Sequence, residues 1–362
     1  MDDSRFAEMR QDALAACDYQ PEVRAALTRQ HIAVTGGTGF LGSWIAEMVA
    51  ALNDQYHLGI TLDLYARNIS EWPHKYPHLA GRRDIRLRSQ DVRSSFEFAK
   101  ETNYVIHAAG IPNNRVHASD PLRVHQTTVA GIGNALEAAS QLDGLRRFLN
   151  VSSCLVAGTP QRPGALGEHD YFPLPAGQLH TVYADAKRAA EMVAAIYRSQ
   201  YRLPLSTIRP FTLTGAYQEL DRPWAINNFL RDVLTSGDIR IHGDGSARRS
   251  YLYGSDAAWW CLAALVKGTD GAVYNLGSAT PVTHNELVKL IGERVAPRPR
   301  VTLNTLPNRQ HRDDDLYPEL GATEHALGVR QTCPLEQTID KTYRWFSTPR
   351  HDATTDTERK SK

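Results

Sequence analysis

Charge of one sign is missing from this 362-residue chain: Lys and Arg number 41, Asp and Glu 40, and the formal net charge is +1. No overall field draws it toward nucleic acid or anionic lipid, so a charged partner needs a local site. Long apolar runs are missing too. The longest, Ala257–Val266, has ten residues, against the roughly 20 that cross a bilayer. Asp2, Asp3, Arg5, Glu8 and Arg10 interrupt the start, where a secretory signal would be apolar. A cytoplasmic protein without a membrane span is expected. The four cysteines, Cys17, Cys154, Cys261 and Cys333, are too few and too scattered for a disulfide framework or a zinc knuckle. Reduced thiols are expected. Glycine and proline, 25 and 19 residues, stand at ordinary globular levels, which excludes collagen-like and linker-rich classes.

At about 150 residues per domain, the length suits two domains or one large one. Residues 1–29 carry a helical apolar pattern (Phe6, Met9, Ala13, Leu14, Ala16) and then Pro21, which predicts a helical cap. Strand-like runs follow at His31–Thr35, Ile60–Ala66, Ile85–Gln90, Tyr104–Ala108, Phe148–Ser152 and Leu205–Arg209, separated by helix-period stretches such as Gly42–Leu52 and Val124–Gln141. Alternating βα units predict an α/β fold, a doubly wound parallel sheet of the Rossmann type, over residues 30–210. Residues 211–346 break into shorter elements, with helical stretches at His284–Arg294 and Leu335–Phe346. They predict a smaller lobe with some strands returning to the sheet, and residues 347–362 a disordered tail. The run Arg312–Asp315 has no other metal ligands beside it and reads as a solvated loop, so no metal site is expected.

Glycines at 36, 39 and 42 follow an apolar strand and open an apolar helix. A dinucleotide turn needs this placement: one glycine for the tight turn, one for close approach to a pyrophosphate, and one for helix–strand packing, with helix N-terminal amides as donors. Of 15 tyrosines only Tyr183 has a lysine four residues on, Lys187, and on a helix the two share a face. Bringing a phenol from about 10 to about 7 takes roughly 4 kcal/mol, which a nearby ammonium can supply. Ser153 ends a strand thirty residues earlier, at the sheet edge that faces a cofactor cleft.

With these residues in place, the chain resembles the extended short-chain dehydrogenase/reductases that modify nucleotide sugars, the NAD-dependent epimerase/dehydratase group. The resemblance rests on Thr35–Gly42, Asp91-Val92-Arg93, His107-Ala108-Ala109, the Ser153, Tyr183 and Lys187 set, Arg209-Pro210-Phe211, the loop Gly243–Arg249 and Tyr274–Gly277. It implies a catalytic trio of Ser153, Tyr183 and Lys187. The cofactor would lie on Gly36, Gly39, Phe40, Leu41, Gly42, Asp91, Val92, Ala108, Ala109, Lys187 and Pro210. Arg249 rather than Arg248 would grip a substrate diphosphate, and Ser153 and Thr212 would face the sugar. His107 reads as a packed strand-end histidine.

Departures from the family pattern narrow the reaction. The dehydratases carry an Asp-Glu pair directly after the catalytic Ser/Thr, and sugar-acid decarboxylases keep a glutamate there; this chain has Cys154 and Leu155. Hydride transfer at a sugar carbon, C4, remains, run once as a 4-ketoreductase or twice as a redox-neutral 4-epimerase. A non-catalytic cofactor-binding regulator is the reading from another class. In NAD-preferring relatives an acidic residue ends the second strand, whereas here Ala66 ends it and Arg67 follows, which suits the 2′-phosphate of NADP. Asp63 becomes a ribose ligand, and NAD the cofactor, if that strand ends earlier. Val124–Gln141 and Val182–Tyr201 match the helices that pair relatives into homodimers, with Ala130, Ala138, Ala186, Ala190, Ala194 and Ile196 as contact positions.

Overall fold

The computed structural model describes residues 4–304 and 315–348. Its strands are β1 His31–Thr35, β2 Thr61–Ala66, β3 Ile85–Ser89, β4 Tyr104–His107, β5 Arg147–Val151, β6 Leu205–Pro210, β7 Thr212–Thr214, β8 Asp238–His242, β9 Arg248–Arg249, β10 Tyr251–Tyr253, β11 Val273–Leu276, β12 Val282–Thr283 and β13 Arg300–Asn304. Seven of them form one parallel sheet in the order β11-β6-β5-β4-β1-β2-β3. The order reverses between β1 and β4, and ligand crevices in such sheets open at the carboxyl ends of the two strands flanking that point.

The helices are α1 Ser4–Cys17, α2 Pro21–Ala26, α3 Phe40–Tyr56, α4 Trp72–Lys75, α5 Pro77–Ala80, α6 Asn114–Ser119, α7 Pro121–Ser140, α8 Val182–Tyr201, α9 Ala225–Thr235, α10 Gly254–Lys267, α11 His284–Gly292, α12 Gly321–Leu327 and α13 Leu335–Ser347. Strand side chains alternate between faces. Ile32, Val34, Ile106 and Leu149 join α1, α3 and α10 on one face, while Ala33, Val105 and Phe148 join α7 and α8 on the other. The longest apolar run becomes α10, a helix apolar on every side because it lies between the sheet, α1 and α3; Ala257 to Leu265 are all buried. Among the described residues no helix is long and apolar enough to cross a membrane.

The N-terminal helices are built into this core. Met9, Ala13, Ala16 and Cys17 of α1 are fully buried. Asp12 pairs with Lys341 and Glu8 with Arg344, both on α13. The Gln20 amide accepts from Trp259 Nε1 and donates to the Leu327 carbonyl, each at 2.8 Å.

A smaller lobe forms around Ile226, Phe229, Ile239, Ile241, Leu287, Ile291 and Ile339. Here β8 pairs parallel with β13 and β9 antiparallel with β12. A capping box starts α11: Thr283 Oγ1 accepts from the Glu286 amide, and Glu286 accepts from the Thr283 amide. The segment 254–276 belongs to the main sheet layer, where α10 packs on α3 and β11 extends the sheet beyond β6.

Several expectations change. Ala138, Ala190 and Ala194 are buried within their own chain, between α7, α8 and the sheet, and Ala186 is buried as well, so they are not available to a partner. Asp315 is buried and paired with Arg248 rather than solvated; the rest of that run, Arg312 to Asp314, lies outside the described residues. Ser347 is helical, and residues 349–362 of the tail also lie outside them.

Candidate active site

The glycine turn leaves no room for side chains. Gly36 has φ +71°, and a Cβ there would stand 2.7 Å from the Ala108 carbonyl oxygen and 2.9 Å from Ala109 Cα. A Cβ on Gly42 would enter the Gly37 carbonyl, and one on Gly37 would lie 2.6 Å from Leu64 Cβ. Strand, turn and helix are therefore pressed together at the switch point, with Ala108 and Ala109 as its floor. Gly39 precedes α3 in extended conformation, and Phe40 and Leu41 open the helix, whose first amides have no partner within it. This cradle fits a pyrophosphate. Gly37 was not singled out by the spacing rule; its signal is the Gly-Gly doublet.

Next to this turn β2 ends at Ala66, and Arg67 is exposed just beyond it. Asp63 lies in mid-strand, fully buried, with Arg86 Nε at 2.7 Å, His31 Nε2 at 3.2 Å and Arg88 Nε at 3.6 Å. Burial pushes its carboxyl up, but His31 and the two arginines hold it below the ordinary value. Asp63 is therefore engaged in ion pairs inside the sheet. Asp91 receives Arg93 at 2.6 Å, and that hydrogen bond, with further help from the Arg67 charge, lowers its pKa to about 2. Val92, next to it, packs against Gly131.

The structure brings Ser153, Tyr183 and Lys187 together. Ser153 follows β5, and its Oγ accepts from the Leu155 amide at 3.2 Å, opening a short 3-10 turn over Cys154–Ala157. Tyr183 and Lys187 lie one turn apart near the start of α8, both buried. Lys187 Nζ donates to the Val151 carbonyl at 2.7 Å and stands 5.8 Å from the Tyr183 ring centroid. Burial lowers the lysine to about 8, with Glu191 opposing. Tyr183 moves the other way: burial raises it above the ordinary phenol value, Cys154 adds to this, and Ser153 opposes it. The expected depression of the phenol by Lys187 is absent, because a buried ammonium takes the nearest strong acceptor, a strand carbonyl.

His117, which spacing did not flag, stacks on Tyr183 with ring centroids 4.6 Å apart. It sits in a helix of six residues, too short for any periodic signal. His107 is buried with Nδ1 2.8 Å from Thr35 Oγ1, and burial, then Lys187, lowers it to about 3. Cys154 packs with Ala157, Leu166 and Phe211, and burial pushes its thiol up to about 12 against the opposing charge of Arg249.

On the far side of the cleft Pro210 ends β6 and Thr212 opens β7, both half-buried. Arg209 points away into a buried ion pair with Glu191 at 2.7 Å and donates to the Glu168 carbonyl, tying the loop before α8 to the sheet. Arg248 is taken by Asp315, with Nε to Oδ1 at 3.0 Å. The Arg249 charge is felt at Cys154, Tyr251 and His284, and together with the larger effect of burial it lowers His284 to about 4. Arg249 thus lies between the small lobe and the Ser153 edge. Among the described residues no cluster of three or more His, Cys, Asp or Glu could hold a metal.

A parallel sheet with a glycine cradle at its switch point, and Ser, Tyr and Lys at its carboxyl edge, defines a Rossmann-type fold of the extended short-chain dehydrogenase/reductase kind. The chain belongs to the NAD dependent epimerase/dehydratase family, whose sequence model matches residues 32–277. It is 24% identical over 322 residues to UDP-glucuronic acid decarboxylase 1 of Danio rerio, covering 88% of this chain and 73% of the relative. It is 26% identical over 343 residues to dTDP-D-glucose 4,6-dehydratase of Homo sapiens, covering 92% and 94%. Its fold matches the UDP-glucuronic acid 4-epimerase of Bacillus cereus in complex with NAD, with a TM-score of 0.72 at 20% identity over 87% of this chain and 96% of that one.

Proposed function

We propose that the protein is a cytoplasmic NADP(H)-linked 4-ketoreductase of a nucleoside-diphosphate sugar. The observation that carries this reading is the end of β2: Ala66 and the exposed Arg67 stand where an acidic ribose ligand would, and Asp63 is sealed inside the sheet. A guanidinium there favours a 2′-phosphate, and NADPH suits net reduction.

The first backbone amides of α3 and the Gly36–Gly42 cradle would hold the dinucleotide, Lys187 its nicotinamide ribose, and Arg249 the substrate diphosphate. A reduced nicotinamide held there would supply the hydride. Tyr183, kept protonated by burial, donates its phenolic proton to the sugar oxygen as that oxygen gains charge, and Ser153 hydrogen-bonds the same oxygen. Dehydration and decarboxylation fit less well. Cys154 stays an uncharged thiol and Leu155 has no proton to give, so the two positions after Ser153 supply no carboxylate.

A redox-neutral 4-epimerase is the second reading, supported by the family's NAD dependence and by the epimerase fold match; Ser153, Tyr183 and Lys187 serve it equally. We also infer a homodimer through α7 and α8, where Leu122, Met192 and Ile196 are 66%, 63% and 43% exposed. A panel of nucleotide sugars and their 4-keto forms, assayed with NADPH and with NADH, tests the reading. Turnover of a 4-keto sugar with NADPH supports it; interconversion of 4-epimers without added reductant moves the assignment to the epimerase.

A further inference from the structure

We propose that His117 is a positioning residue for the proton-transferring tyrosine, holding the Tyr183 ring from the loop between β4 and α7. The proposal rests on the assignment of Tyr183 as proton donor. The two rings are stacked, with centroids 4.6 Å apart and planes inclined by 14°. Nothing in the pairing of Tyr183 with Lys187 along α8 requires this neighbour, since His117 arrives from α6, a different part of the chain.

The imidazole is itself fixed. Its Nε2 lies 2.7 Å from the Ile111 carbonyl oxygen, and because a carbonyl only accepts, Nε2 is the donor in either protonation state. Asn113 anchors the helix: its side-chain oxygen accepts from the Arg115 amide, and its carbonyl accepts from the His117 amide, each at 3.0 Å. The same segment also closes on Lys187, since a Cβ on Gly110 would stand 3.7 Å from Nζ. One loop therefore covers both the phenol and the ammonium.

Tyr183 lies in the first turn of α8, so its χ1 rotamer alone decides where the phenolic oxygen sits. A flat neighbour pressed on the ring face removes the alternatives. The gain is in geometry, since a reacting atom misplaced by about 1 Å costs about a hundredfold in rate.

The test uses the cofactor-bound full chain in which tyrosines are replaced by fluorotyrosine, the resonance of residue 183 being the one lost in Tyr183→Phe. His117→Ala removes the ring current and is expected to shift that resonance, and His117→Phe restores a stacked ring. On whichever nucleotide sugar the wild type turns over, kcat is expected to fall about ten- to a hundredfold in His117→Ala, with KM and cofactor affinity unchanged, and to recover to within about threefold in His117→Phe. A resonance that does not move, or a kcat unchanged in His117→Ala, overturns the proposal. Should His117→Ala not fold, His117→Leu keeps the bulk without the ring and takes its place. If the wild type turns over no nucleotide sugar, the functional reading fails and the resonance alone decides for or against the stacked support.

Discussion

Lys187 Nζ donates a 2.7 Å hydrogen bond to the carbonyl oxygen of Val151, the last residue of β5. The bond ties α8 to the strand end that carries Ser153, and it turns the ammonium toward the backbone instead of the phenol four residues away. Burial, joined by Cys154 and opposed by the Ser153 hydrogen bond, then raises the phenol, and Tyr183 stays protonated.

Tyr183→Phe removes one oxygen and keeps the ring that stacks on His117. Turnover is expected to fall at least about a hundredfold, the usual contribution of a positioned proton donor, while cofactor affinity stays within about twofold. Steady-state kinetics beside a cofactor titration checks this, and a wild-type rate in the variant removes Tyr183 from the chemistry.

Lys187 has a folded-state pKa near 8, below its ordinary 10.5. The unfolded chain therefore binds more protons between these two values, so this group makes stability rise with pH across about pH 8 to 10.5 and weighs against folding below pH 8. Lys187→Met removes that cost, roughly 3 kcal/mol for a shift of this size, and loses roughly 1 kcal/mol with the hydrogen bond. The variant is expected to be inactive yet more stable at pH 7, with the advantage shrinking as pH climbs toward 10. Denaturant melts at several pH values measure it.

Arg67→Ala is expected to weaken NADPH binding about tenfold, near 1.4 kcal/mol, and to leave NADH unaffected. Titration of both cofactors into both proteins reads this out. Tighter NADH binding that the substitution does not change reverses the cofactor assignment.

Met9 is fully buried where α1 meets α3 and α10. Met9→Ala leaves a cavity and is expected to lower stability by about 2–4 kcal/mol without altering KM. Chemical denaturation compared with kinetics on the same preparation tests whether this segment, which precedes the family-matched region, is structural.

The exposed Met192 and Ile196 on α8 predict a dimer of roughly twice 40.3 kDa by light scattering, and Met192→Asp with Ile196→Asp should return it to the mass of one chain. A wild-type mass near one chain at micromolar concentration counts against the interface.

The parallel sheet was legible because most of its first six strands are apolar runs set apart by helix-period segments, and β1, β3 and α8 begin where the pattern places them; β3 instead alternates apolar with charged residues and runs on to β4 without a helix between them. The glycine turn was legible for a local reason: its constraint is backbone space, which spacing reports. The role of Ala257–Val266 was not, since an apolar run without periodicity shows only that it is buried; the sheet and α3 decide that it is a helix.

What the sequence determined by itself is thus local: which segments pair or coil, where the backbone needs glycine, and that Tyr183 and Lys187 share a helix face. Tertiary structure decided the destination of each charge. The sequence offered Asp63 as a ribose ligand if β2 ended early; the register of β2 with β3 instead runs the strand on to Ala66 and sets Arg86 and Arg88 beside the carboxylate. Asp315 and Arg248 lie 67 positions apart and met only when β9 was placed. Burial, a property of the whole fold, moves Tyr183 up and Lys187 down. Spacing along a chain carries no information about solvent, and solvent exposure sets the cost of a charge.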